Sequence, residues 1–385
     1  MRWLAALLLL PLSVALPVPG VTSTWAFHEN ATWTYSHCSS WTRVPSGALL
    51  AVFQATQSHE GGPTQTKFIV RSVDNGATWS APAILVPWSN ATGEEILPWD
   101  GTLFLDGQRR LRYVYATSPF KQQSAGDLYT ISSGDEGATW STPSLVFPRS
   151  VWGRIMSNIN PPVALRGGAL ALPVNTVPGD SGDKGPVTAG LVLVGADGEQ
   201  WAPLGVVPSN LVNLSVYLEP AVAACAPPND GQLLMLLRSQ IQQLWAARST
   251  DGGGTWSVAY RTPLANPNSK VNLFSWRGAG AGGNAPADGD LVLTLNPVSN
   301  CTNPTGYCAR APLAIAVSRD CGGSWGAPFN VEVAGGGENS FGYPTAGQCA
   351  DAGGAPAICI TYSVGANGTG TGGIRFSVVP AALLA

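Results

Sequence analysis

The chain has 385 residues, of which only 11% are charged, with a formal net charge of −3. This balance leaves no basic field for nucleic acid or an anionic membrane, so a neutral or locally recognised ligand is expected. The 46 glycines and 31 prolines point to short strands and many turns, in a chain long enough to bury an ample core.

The start, Met1-Arg2-Trp3 followed by the run Leu4 to Leu10, with small Ser13 and Ala15 before Pro17, places one positive charge ahead of an apolar stretch. It reads as a secretory signal peptide over 1–17, leaving 18–385 as one domain. No later run approaches the roughly 20 apolar residues that span a bilayer, so a secreted protein, extracellular or in a secretory lumen, without a membrane span is expected. Asn-x-Ser/Thr sequons at Asn30, Asn90, Asn213, Asn300 and Asn367 fit that route. Seven cysteines suit an oxidising compartment. Cys301 and Cys308 are near enough to close one loop, and Cys349 and Cys359 flank another; the odd count leaves a thiol over, with Cys38 or Cys225 as candidates. The cysteine spacing has no zinc pattern, and neither metal nor cofactor is expected.

A repeat then sets the organisation. Ser72-Val-Asp-Asn-Gly-Ala-Thr-Trp79 returns as Ser133 to Trp140, Ser249 to Trp256 and Ser318 to Trp325, with a worn copy from Gly195 to Trp201. Asp can accept hydrogen bonds from backbone N–H groups two and three residues on, and Gly two places later supplies the positive φ of the turn. So regular a motif is repeat punctuation, and its Trp residues are not expected to touch a ligand. The box aspartates Asp74, Asp135, Asp197, Asp251 and Asp320 are separated by 61, 62, 54 and 69 residues. Between them run short apolar segments such as Ala48–Phe53, Leu111–Tyr115, Leu233–Leu237 and Leu291–Leu295, bounded by Gly, Asp or Pro as strands are. No long amphipathic helix appears. At about 60 residues per unit the pattern predicts an all-β fold, a six-bladed β-propeller with one blade lacking a box, since ring closure removes exposed sheet edges. The segment Ile374–Val379 is expected to complete a blade with N-terminal sequence. Pro178–Pro186, Arg277–Gly289 and Cys349–Ala357, rich in Gly, Ala, Asp and Pro, read as surface insertions.

Candidates for chemistry belong at the end opposite the boxes, near the axis. Tyr217-Leu218-Glu219-Pro220, then Asp230-Gly231, then an apolar strand ending Arg238-Ser239, is the strongest constellation. Here the chain resembles the sialidase superfamily, in its sialidase-like family built from Asp-box repeats, over nearly all its length. The resemblance gives Glu219 the place of the glutamate of the Tyr/Glu pair and Arg238 that of the second arginine of the carboxylate-binding triad. It gives Arg310 the third arginine and Tyr343, in Ser340-Phe-Gly-Tyr-Pro344, the nucleophile. Leu264-Ala-Asn-Pro-Asn268-Ser269 is similar to an Asn-Pro-Asn-Ser motif of the sialidase-like branch. Where the superfamily has its first arginine, ten residues before Gly47, this chain has His37. In place of the family's acid/base Asp the loop before the first box offers His59 and Glu60, of which Glu60 is the choice. Asn160, Trp99 and Asn268 are expected to line the funnel.

Those residue types suit the chemistry that the resemblance implies. Guanidinium groups hold a carboxylate in bidentate fashion, and a neutral Tyr activated by a Glu base repels a carboxylate-bearing sugar less than a second carboxylate would. The expected activity is exo-hydrolysis of a terminal acidic sugar from a glycan partner. A glycan-binding propeller without catalysis is the alternative, because His37 leaves the arginine triad incomplete. The residues themselves also allow plainer roles: Glu219 a strand end, Tyr343 a core aromatic, His37 an inner-strand histidine, Glu60 a solvated loop charge, Arg310 a surface residue.

Overall fold

The structure, a computed structural model, describes residues 18–91, 93–120, 126–148, 154–157, 159–177, 188–208, 218–225, 231–278, 285–299, 301–302, 309–335, 337–365 and 372–384. The leader, the segment Pro178–Pro186, Tyr217, Cys308 and the sequons at Asn213, Asn300 and Asn367 lie outside the described residues.

Among the described residues, twenty-five strands form six antiparallel sheets. Strand β1 (Thr22–His28) leads into blade 1, made of β2 (Tyr35–Arg43), β3 (Leu49–Thr56), β4 (Thr66–Ser72) and β5 (Ala83–Val86). Blade 2 is β6 (Ile96–Leu105), β7 (Leu111–Pro119), β8 (Asp127–Ser133) and β9 (Ser144–Phe147). Blade 3 is β10 (Arg154–Ser157), the short β11 (Val163–Ala164), β12 (Leu170–Val177), β13 (Thr188–Val194) and β14 (Trp201–Val206). Blade 4 is β15 (Leu218–Ala224), β16 (Leu233–Arg238), β17 (Gln243–Ser249) and β18 (Tyr260–Ala265). Blade 5 is β19 (Asn272–Ser275), β20 (Leu291–Leu295), β21 (Leu313–Ser318) and β22 (Phe329–Glu332). Blade 6 is β23 (Ser340–Ala350), β24 (Pro356–Gly365) and β25 (Gly373–Pro380), with β1 as its outer strand, so the two ends of the chain close the ring. Among the described residues no helix is long and apolar enough to cross a membrane.

The central strands of the blades are buried on both faces, which explains apolar runs where one-sided strands would alternate. In β3, Leu49, Ala51, Phe53 and Ala55 pack towards blade 6, and Leu50 and Val52 towards blade 2. In β16, Leu234 and Leu236 face blade 5, whereas Leu233, Met235 and Leu237 face blade 3. The core is therefore six layers, one between each pair of neighbouring blades.

Each box joins the third strand of its blade to the fourth. In blade 6 that connection would run from β25 to β1, the two ends of the chain, so no turn exists there to carry a box. In the full boxes the aspartate side chain reaches one residue further along the chain than expected. Asp251 accepts from Thr255 N–H, four residues on, at 2.9 Å, and from the Thr255 hydroxyl at 2.7 Å. Ser249 Oγ donates to Asp251 and accepts from Gly253 N–H. These bonds, led by the Thr255 N–H, lower the Asp251 carboxyl to about 2. Both residues after the aspartate take positive φ, as at Asn75 (58°) and Gly76 (85°), so the chain reverses in two residues. The Trp residues cap the layers: Trp256 is buried and Trp79 meets Phe376 edge-on.

Two sequence expectations are corrected. Cys225 is not a free thiol; it pairs with Cys321, a residue of the fourth full box, and so ties blade 4 to blade 5. Cys349–Ala357 is not an insertion, since Cys349 and Ala357 face each other in the β23–β24 ladder and Cys349 bonds Cys359 across it. Among the described residues Cys38 is a free thiol, and Cys301 is disulfide-bonded.

Candidate active site

Register separates scaffold from site. In blade 1, Arg43 faces Leu49 and Leu49 faces Ser72 at the box end, while His37, Gln54 and Lys67 form one transverse row at the other end. At that end the first strands of four blades carry the same defect. Pairing is interrupted between His37 and Ser40, Trp99 and Thr102, Leu218 and Ala221, and Gly342 and Thr345. The first unpaired residue of each bulge is Cys38, Asp100, Glu219 or Tyr343, at φ 52°, 40°, 48° and 58°. Left-handed conformations of such residues cost about 1 kcal/mol or more each and break the alternation of side chains, which re-aims them towards the axis.

The centre of the site is a hydrogen-bonded triangle. The Tyr343 hydroxyl donates to Glu219 Oε1 at 2.6 Å, and Arg238 Nη1 donates to Glu219 Oε2 at 2.5 Å and to the Tyr343 oxygen at 2.8 Å. Arg238 Nε donates to Asn268 Oδ1 at 2.7 Å, and Arg310 donates to the Asn268 carbonyl at 3.5 Å. The Arg310 guanidinium lies 5.0 Å from the centre of the Tyr343 ring. Gly342 makes that approach possible, because a Cβ there would fall 2.8 Å from Arg310 Cδ. Burial pushes the Tyr343 phenol well above its usual range, so it is a proton donor in the resting site, although Arg238 pulls the other way.

His37 sits against the same ring, centroids 4.1 Å apart, with Nδ1 2.8 Å from Ser363 Oγ. Burial, and then the field of Arg310, hold this imidazole well below its ordinary range, so it is neutral and supplies no third cation. Glu60 comes from the β3–β4 loop and lies 3.9 Å from Cys38 Sγ; Gln54 Nε2 donates to it at 3.3 Å and Lys67 in turn donates to Gln54 at 2.8 Å. Burial and the neighbouring Asp100 raise the Glu60 carboxyl to about 7.

All the sequence-predicted residues fall at this end, with different roles. Tyr343, Glu219, Arg238, Arg310, Asn268 and His37 form one contact set, and Glu60 shares their field. Asn160 is a strut rather than a wall of the funnel: its amide donates to the carbonyls of Glu219 and Pro220 at 3.2 and 2.9 Å. Trp99 is buried beneath the Glu60 loop, its ring so close to Gly61 that a Cβ there would lie 2.5 Å away. Sequence reasoning missed Asp100, Cys38, Lys67 and Lys270. Lys270, fully buried and lowered to about 7 mainly by that burial, donates to the Pro344 carbonyl and to Thr345 Oγ1, fixing the turn after Tyr343. A signal for the axial positions was present, since Cys38, Asp100 and Asn160 stand 35 to 37 residues before Asp74, Asp135 and Asp197.

Solved structures with the same fold include Trypanosoma rangeli sialidase in complex with 2,3-difluorosialic acid, at 16% identity and TM-score 0.72, covering 96% of this chain and 60% of that one. The Hadza microbial sialidase Hz136 aligns at 17% identity and TM-score 0.69, over 90% of this chain and 66% of its own length. A Dyadobacter fermentans protein of unknown function, at 14% identity and TM-score 0.68, is covered over 99% of its length. This chain thus spans less than two thirds of the length of the first two. No curated protein sequence matches it. At these identities the likeness is one of fold, but the BNR repeat-like domain matches residues 47–356, most of the propeller. The chain belongs to the BNR repeat-like domain family.

Proposed function

We propose that the protein is an exo-acting glycoside hydrolase that releases a terminal acidic sugar from a glycan. The observation that carries this reading is the buried triangle in which Tyr343 donates to Glu219 at 2.6 Å beneath Arg238. A phenol so placed is a latent nucleophile. Glu219 takes its proton as the oxygen attacks the anomeric carbon, and Arg238 stabilises the charge that develops on it. The glycosidic C–O bond breaks, and the leaving oxygen takes a proton from Glu60, whose carboxyl at about 7 still holds one near neutrality. Water then attacks the glycosyl–tyrosine bond, giving its proton to Glu60, while Tyr343 leaves and recovers its proton from Glu219. Arg310, with Arg238, faces the substrate carboxylate. The disulfides and the apolar leader support an exported enzyme.

Tyr343→Phe keeps the ring and removes the nucleophile, so turnover of a sialoside or uronide substrate is expected to fall by about 10³ or more with the fold intact. Wild-type turnover in that variant would remove Tyr343 from the chemistry. One observation favours a glycan-binding propeller without catalysis: the imidazole at the first-arginine position is neutral. Binding on a glycan array with no product released from any bound glycan would establish that second reading.

A further inference from the structure

We propose that His37, Cys38 and Glu60 form a binding site for a thiophilic divalent cation of the zinc class, at the place where the superfamily's first arginine would stand. The three donor atoms lie within 4.8 Å of one another, and the thiol sulfur is 3.9 Å from Glu60 Oε1. Tetrahedral zinc, with bonds of about 2.0–2.3 Å to N, O and S, holds its ligand atoms roughly 3.3–3.7 Å apart. The set therefore has to contract by well under the reach of one side-chain rotation.

Consecutive strand residues ordinarily point to opposite faces. His37 and Cys38 reach one cluster because the bulge and the 52° φ of Cys38 break that alternation. The surroundings resemble an outer shell that orients metal ligands. Ser363 holds His37 Nδ1, and Gln54, itself held by Lys67, holds Glu60. Binding then displaces the thiol proton to solvent. The donor set of one thiolate, one imidazole and one carboxylate selects zinc-class ions over calcium or magnesium. Three protein ligands leave a fourth position for water or a ligand oxygen. Cys38 is the one described cysteine outside a disulfide, and the catalytic reading makes no use of its sulfur.

The site does not depend on the glycosidase reading, but the two share Glu60, so a bound cation would hold that carboxylate ionised and stop it acting as an acid. The test therefore reads the metal directly. Full-length protein, stripped with chelator and confirmed folded by near-UV circular dichroism, is titrated with Co²⁺. A near-ultraviolet thiolate-to-cobalt band with visible bands of four-coordinate Co²⁺ is expected at one equivalent, bleached by one equivalent of Zn²⁺. Cys38→Ser should abolish the charge-transfer band, and Glu60→Gln should weaken binding at least about tenfold. Absence of the band in folded wild-type protein with excess Co²⁺ would overturn the proposal, as would an undiminished band in Cys38→Ser. A missing band with active hydrolysis would fail this site alone. A band, with no hydrolysis of any glycan by the metal-free protein, would fail the enzyme reading alone.

Discussion

Glu60→Gln separates the acid/base role from a structural one by its pH dependence. The Glu60 carboxyl is raised from an ordinary 4.5 to about 7 by burial first and by Asp100 second. A carboxyl raised on folding binds its proton more tightly in the native state. Its contribution to stability is therefore full below about pH 4.5 and withdrawn as pH rises through 7. The span corresponds to about 3 kcal/mol, taken at about 1.4 kcal/mol per tenfold change in proton affinity. His37, held neutral, acts in the opposite sense, costing stability as pH falls through the ordinary imidazole range. The wild type must therefore be compared with Glu60→Gln, which keeps His37. Urea unfolding of both proteins from pH 4.5 to 8.5 should show the wild type losing about 3 kcal/mol relative to the variant across that range. On substrate, the alkaline limb of kcat/KM near pH 7 should disappear in the variant together with most of the rate. Parallel stability curves, or an alkaline limb that survives in Glu60→Gln, would refute the assignment of the titration to this residue.

Other consequences can be checked with single variants. Asn160→Ala removes both donors to the Glu219 and Pro220 carbonyls; a stability loss of about 1–3 kcal/mol in urea melts is expected, with a lower kcat as Glu219 keeps only the Asn175 bond on its backbone. Replacing Cys225 and Cys321 together by Ser opens a link across 96 residues, for which chain entropy sets a ceiling of about 4–5 kcal/mol, measurable by chemical denaturation. Asp251→Ala breaks the box at the far end of blade 4; it should lower the thermal midpoint and leave kcat/KM unchanged, and a large loss of kcat/KM would mean that the boxes communicate with the site.

The fold was legible because its period is written in local chemistry. Each full box needs Asp, Gly and a Thr or Ser at fixed offsets to close a single hairpin, so blade number and the absence of a sixth box could be counted from residues close together in the chain. Glu219 and Tyr343 were legible through the family resemblance, carried by the Tyr217-Leu-Glu-Pro220 and Ser340-Phe-Gly-Tyr-Pro344 segments. What stayed hidden depends on contacts across blades. Asn160 reaches Glu219 over 59 residues and Lys270 reaches Pro344 over 74. Such partners share no periodicity, and only packing of one blade on the next brings them together. The same holds for Cys225, whose pairing requires blade 4 and the blade 5 box to be neighbours. Asp100 was overlooked because Asp-Gly reads as an ordinary turn, whereas here it begins a bulge in the middle of β6.

The central claim is that Tyr343 attacks the sugar. Trypanosoma rangeli sialidase forms a covalent intermediate with 2,3-difluorosialic acid, and the same reagent, or a fluorinated uronosyl fluoride, can be offered to this protein. Digestion and tandem mass spectrometry should find the adduct mass on the Tyr343 hydroxyl, absent from Tyr343→Phe, with label and activity loss rising together. Inactivation with the label on another residue would contradict the account, as would turnover of the natural sugar by Tyr343→Phe at the wild-type rate.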